Sequence, residues 1–188
     1  MADSNGFAER VREYTGRLTA DSVVALAVLF DLTCHRLVRF AAALTQRQHD
    51  AEDAVQAVLV RLTGDPALLT RAECPWAYLL RMVRNEVMLI ARRNQRCTTS
   101  ANLSDLITRC RVDESEREES YRAVWAALRT LPPEQAEVVV LKIWETLTFS
   151  QIGDVLEISP NTAASRYQYA MTKLTARLRA VGQEVQHG

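Results

Sequence analysis

The sequence predicts an all-α protein of two small helical domains joined by a flexible linker. Three observations carry that reading. Glycine and proline are scarce, at 6 and 5 in 188 residues. Runs of β-branched residues are short. Apolar residues recur at spacings of three and four nearly throughout, the period of a helix with one buried face. This length holds one domain or two small ones, and each small one needs good packing.

After an extension over residues 1–20, the first block covers residues 21–96. Asp21 caps an opening helix that runs to about Thr45, and the polar stretch Gln46 to Asp50 breaks it. A second helix spans roughly Ala51 to Leu62, ends at Gly64-Asp65-Pro66, and leads into a loop reaching about Cys74. Pro75 then opens a third, long helix, since the first helical position needs no N–H. Its polar face holds Arg81, Arg84, Asn85, Arg92 and Arg93. With Arg96 these make five arginines against one acid, Glu86. Residues 97–119 begin small and polar, end in mixed charge and show weak apolar periodicity. They read as a flexible linker with room for a short helix near Leu103 to Cys110.

The second block, residues 120–188, contains YRAVWAALRTL, Pro132-Pro133, the helical run EQAEVVVLKIWE and the segment Thr148 to Arg179. That last segment has the layout of a helix-turn-helix. Thr148 and Gln151 form a capping box, and Ile152, Val155 and Leu156 give the first helix an apolar face. Glu157-Ile158 makes the turn; Ser159 caps the second helix, with Pro160 at its first position. Ala163, Tyr167, Ala170, Leu174 and Leu178 form the inward stripe. Asn161, Thr162, Ser165, Arg166, Gln168, Tyr169 and Lys173 lie opposite, where they can reach phosphates and base edges. A merely solvated face is the competing reading. It normally mixes charge signs, whereas Ser159 to Arg179 holds Arg166, Lys173, Arg177 and Arg179 and no acid, which favours a polyanion.

Other classes find no support in the sequence. The longest apolar run, Val23 to Phe30, is too short to span a bilayer, and the N-terminus has no basic head followed by an apolar core. A cytoplasmic location is expected. Cys34, Cys74, Cys97 and Cys110 are widely separated, and His35, His49 and His187 add no ligand spacing, so neither zinc nor a disulfide is expected. No phosphate-cradling glycine loop and no nucleophile–base pair stands out, so no cofactor, metal or catalytic residue is assigned. Net charge is zero, and only Lys142 and Lys173 of the basic residues are lysines.

The residues resemble bacterial sigma factors of the extracytoplasmic-function group, which keep only regions 2 and 4. LFDLTCHRLVRFA, DAEDAVQAVLVRL and the PWAYLLRMVRN run are similar to region 2. LPPEQAEVVVLKIWETLTFSQIGDVLEISPNTAASR is similar to region 4. Together the similar stretches cover roughly Leu29 to Arg96 and Leu131 to Leu178. The resemblance implies a protein that binds RNA polymerase core and opens promoter DNA, with no active site of its own. Asp50, Glu52, Asp53 and Gln56 match the surface that docks on the β′ clamp helices. The loop Thr63 to Cys74 and the helix from Pro75 match the part that melts and reads the minus-ten element. In that helix Tyr78 stands where the family usually has Trp, Arg81, Arg84 and Asn85 fall on its R-x-x-R-N run, and Arg92 and Arg93 extend the basic face. There, arginines hold a single strand and an aromatic ring stacks on a base. Ser159, Asn161, Thr162, Ser165, Arg166, Tyr169 and Lys173 match the reader of the minus-thirty-five duplex, and Arg166 is the foremost candidate for DNA contact. Implied partners are polymerase core (β′ clamp helices and β flap), promoter DNA and an anti-sigma protein.

Each assignment has a plainer counterpart. Tyr78 lies among Leu79, Leu80 and Met82, as a core aromatic does, and Trp125 and Trp144 read as core. Asp50, Glu52 and Asp53 suit a helix dipole as first-turn acids. Three residues depart from the family pattern. Ala57 follows Gln56 where Glu is usual, Glu157 replaces the usual turn Gly, and Ala163 replaces a larger apolar residue. Two rivals stay open: a helix-turn-helix regulator acting without polymerase core, and a helical interaction protein that no longer binds DNA.

Overall fold

A computed structural model describes residues 4–18, 23–45, 47–97, 126–128 and 130–185. The helices are α1 (Ser4–Gly16), α2 (Val23–Thr45), α3 (Gln48–Gly64), α4 (Ala67–Thr70), α5 (Pro75–Cys97), α6 (Pro133–Ile143), α7 (Phe149–Leu156) and α8 (Pro160–Val185). No strand occurs among the described residues. The expected all-α class is what the chain adopts. The helices fall into two compact units, one built from α1 to α5, the other carrying α6, the first turn of α7, and α8.

In the N-terminal unit, α5 packs against α1, α2, α3 and α4. The core joins Leu29, Leu37 and Phe40 of α2, Val55 and Leu62 of α3, Leu69 of α4, and Trp76, Leu79, Leu80 and Val83 of α5. The sequence reading assigns no element before Asp21, yet α1 is there, with Phe7 and Val11 buried. Asp21, the expected cap of α2, lies outside the described residues.

Two further boundaries differ. The helix expected from Ala51 begins at Gln48. Of the polar residues taken for a break, Gln48, His49 and Asp50 form its first turn, where Gln48 donates to Glu52 at 2.7 Å and His49 lies 3.7 Å from Asp53, each four residues apart. The expected loop to Cys74 contains one helical turn, α4, which follows Pro66 and buries Leu69 completely. The expected linker lies outside the described residues beyond Cys97, as do Trp125 and the short helix near Leu103 to Cys110.

In the C-terminal unit, α6 starts with Pro133 at its first position and buries Val138, Val139, Val140 and Leu141 in succession. Trp144, just after it, is half-buried. Ala163, Ala170 and Leu174 of α8 complete this core, while the side chain of Leu178 is not among those described. The tight corner between α7 and α8 depends on Gly153. A Cβ there would sit 2.7 Å from the Ile158 carbonyl oxygen, and the Ile158 N–H donates to the Gly153 carbonyl at 3.0 Å. Glu157 takes up a left-handed backbone, φ 59°, and so does Thr146, φ 54°, between α6 and α7. For a residue with a Cβ each costs on the order of 1 kcal/mol.

Candidate nucleic-acid interface

The helix-turn-helix is fixed by local hydrogen bonds. The Thr148 N–H donates to Gln151 Oε1 at 2.9 Å, and the Gln151 N–H donates back to Thr148 Oγ1 at 3.2 Å. This is the reciprocal pair of a capping box. At the start of α8, the Thr162 N–H donates to Ser159 Oγ at 3.0 Å, and the two hydroxyls lie 2.8 Å apart. The Ser159 hydroxyl therefore serves the helix first. The positive end of the α8 dipole then faces outward beside exposed polar side chains, an arrangement that favours a phosphate.

Along α8, Ala163 and Ala170 point into the core, and Tyr167 is half-buried, its ring 5.8 Å from that of Phe149. Asn161, Thr162, Ser165, Tyr169 and Lys173 are all exposed, Tyr169 to 67%. At 100° per residue these five cover about 120° of the helix surface. Arg166 sits on the shoulder of that arc. Its side chain is 29% exposed and its guanidinium lies 2.8 Å from Glu134 of α6, a partner that sequence reading did not find.

On α5, Tyr78, Arg81, Asn85 and Arg92 share an arc of about 60°, flanked by Arg84 on one side and Arg93 on the other. Tyr78, Arg81 and Arg84 are half-buried, and Asn85, Arg92 and Arg93 are exposed. Leu79 and Leu80 beside Tyr78 are buried, so the tyrosine occupies the rim of the core. An amphipathic ring suits that rim. The first turn of α5 is set by the Tyr78 N–H donating to the Cys74 carbonyl at 3.0 Å.

The acids of α3 divide. Glu52, Asp53 and Gln56 are exposed on one face, together with Ala57. Asp50 is half-buried at the edge, where Asn94 of α5 donates to its carboxylate at 3.2 Å. Sequence reading missed Val60, which is 64% exposed, four residues past Gln56 on this same polar face. A large apolar residue on the face that carries Glu52, Asp53 and Gln56 was the available signal. Among the described residues no three His, Cys, Asp or Glu side chains gather as metal ligands, and no helix is long and apolar enough to cross a membrane.

Comparison with known proteins adds two family matches. The family described as Sigma-70 region 2 matches residues 29–97, and that described as Sigma-70, region 4 matches residues 121–174. The chain is 29% identical over 144 residues to the RNA polymerase sigma-E factor of Streptomyces avermitilis, covering 76% of this chain and 78% of the relative. It is 30% identical over 137 residues to the ECF RNA polymerase sigma factor SigE of Mycolicibacterium smegmatis, covering 70% and 52%. Among solved structures it is similar to the sigma factor RpoE in complex with the anti-sigma factor NepR from Bartonella quintana. There the TM-score is 0.64 with 20% identity, over 80% of this chain and 94% of the other. The structure of CnrH in complex with the cytosolic domain of CnrY gives a TM-score of 0.58 and 21% identity, over 94% and 97%.

Proposed function

Because this chain belongs to the sigma-70 family, in its extracytoplasmic-function group, we propose that its two units divide one promoter between them. It acts as a sigma factor, binding RNA polymerase core and directing promoter recognition and melting. Phosphodiester chemistry belongs to the polymerase, and the protein works in the cytoplasm, where core and DNA are.

The observation that carries the division of labour is the presence of two basic helical faces of different build. On α8 the side chains Asn161, Thr162, Ser165, Tyr169 and Lys173 stand clear of the core, as a helix entering a major groove requires, with Ser159 at its mouth. Arg166 contributes the guanidinium that suits a guanine edge. On α5 the half-buried Tyr78 gives a stacking surface, and Arg81, Arg84, Asn85, Arg92 and Arg93 give contacts for a displaced strand. Glu52, Asp53, Gln56 and the apolar Val60 form the face that docks on the β′ clamp helices, with Asp50 steadied by Asn94 at its edge. The region 4 unit engages the β flap. An anti-sigma protein covers these faces at rest, a reading supported by the complexes that similar folds form.

The test is reconstitution. Purified protein added to core polymerase should co-elute with it and start transcripts from a subset of genomic promoter fragments. Arg166→Ala should weaken the minus-thirty-five contact by about 1–3 kcal/mol. Failure to bind core and to stimulate any promoter would reject this reading.

A further inference from the structure

The helix α1 lies before residue 29, where the region 2 match begins. It packs against α2, α4 and α5, and two of its side chains meet the entrance to α5 from opposite sides. The Arg12 guanidinium donates to the main-chain carbonyl of Glu73 at 2.6 Å. Glu73 directly precedes Cys74, whose carbonyl accepts the Tyr78 N–H at the first turn of α5. On the other side of that junction, the Phe7 ring meets Trp76 edge-on, with centroids 4.8 Å apart. Arg36 of α2 stacks its guanidinium over Phe7 at 3.9 Å, which backs the contact. The same guanidinium lies 5.9 Å from the centroid of the Trp76 ring.

We propose that α1 is a positioning element for the minus-ten reader, with Arg12 holding Glu73 and Phe7 holding Trp76. The proposal rests on the sigma-factor reading above. Neither Arg12 nor Phe7 need touch DNA. They fix the residue before the α5 cap and the residue two places after it, and so fix the direction in which Tyr78 leaves the helix. A side chain that must receive an unstacked base loses rate when its backbone support shifts by a fraction of an ångström. The carbonyl grip is suited to this. It is exposed, so it adds little to stability, yet it crosses 61 residues to a single main-chain atom.

The experiment uses full-length protein in holoenzyme, on a promoter first selected by wild-type holoenzyme from genomic fragments. If no promoter is selected, the sigma-factor reading fails before this proposal is reached. On a selected promoter, Arg12→Ala should slow opening at saturating holoenzyme by about tenfold, equivalent to about 1.4 kcal/mol. Base unstacking is followed by 2-aminopurine fluorescence. Core affinity and affinity for the minus-thirty-five duplex should remain at wild-type values. Arg12→Lys, which keeps an N–H donor for the same carbonyl, should recover most of the rate. Wild-type opening by the Arg12→Ala protein overturns the proposal. So does a loss of core binding in the same proportion as opening, or an Arg12→Lys protein as slow as Arg12→Ala.

Discussion

The two helices proposed to read DNA, α5 and α8, are both long, basic and amphipathic, but they are supported in opposite ways. In α5 the first turns are enclosed: Trp76, Leu79, Leu80 and Val83 are buried, and four other helices pack around it. Its candidate contacts emerge from the rim of that core. In α8 the inward stripe is narrow, with alanines at 163 and 170, and side-chain caps at the corner supply local order. The difference suits the target proposed for each helix. A duplex arrives already shaped, so its reader needs only a projecting helix with a well-formed end. A strand pulled from its partner is floppy, so the rigidity must come from the protein.

The largest expected effect tests the enclosed helix. Trp76→Ala removes a fully packed aromatic and should cost about 3–5 kcal/mol, read as a fall in the thermal unfolding midpoint. Polymerase binding and strand capture should go with it, while binding of the minus-thirty-five duplex by the C-terminal unit survives. Loss of all three together would break the contrast. The matching test of the other end is Gly153→Ala. Its new methyl group meets the Ile158 carbonyl, and the strain should cost about 2 kcal/mol and abolish duplex binding first. A smaller step is Ser159→Ala, which removes the α8 cap at a cost of about 1 kcal/mol. Duplex affinity should fall, and initiation from a pre-melted template should not.

The smallest effect in stability is the most informative about recognition. Glu134→Gln removes the charge facing Arg166, and because the pair is partly exposed the stability change should stay within about 1 kcal/mol. Binding to unrelated duplex should nevertheless tighten. The slope of log affinity against log salt should steepen by about one, as a released arginine takes up a phosphate. An unchanged slope would mean that Glu134 does not restrain Arg166.

What was legible in the sequence follows the same divide. The corner of the helix-turn-helix is built from contacts three residues apart, Thr148 with Gln151 and Ser159 with Thr162, so its caps were readable from residue type and spacing. The turn at Glu157 was readable as a point of strain, and its φ of 59° is the strained value. The enclosed unit was harder. α1 and the turn after it show only a thin apolar stripe, Phe7, Val11 and Leu18, and the pairs that seat the helix, Phe7 against Trp76 and Arg12 against Glu73, are too distant in sequence for periodicity to register. The start of α3 was hidden because Gln48, His49 and Asp50 look like a polar break until their partners one turn on are counted. Gly153 was passed over, because its need for a bare Cα comes from a carbonyl across the corner. Among the candidate contacts, residue types were readable but engagement was not: nothing in the sequence ties Arg166 to Glu134 or Asp50 to Asn94.

The grip of Arg12 on Glu73 also orders events in time. A ribosome releases the chain from its N-terminus, and the N-terminal unit cannot close until the residues 61 positions beyond Arg12 have emerged. The contacts of the C-terminal unit span shorter loops, such as Phe149 to Tyr167. Shorter loops close faster. The half of the molecule made first thus closes over the longer loop, and Arg12 waits for the entrance to α5 to emerge before its guanidinium has a carbonyl to hold.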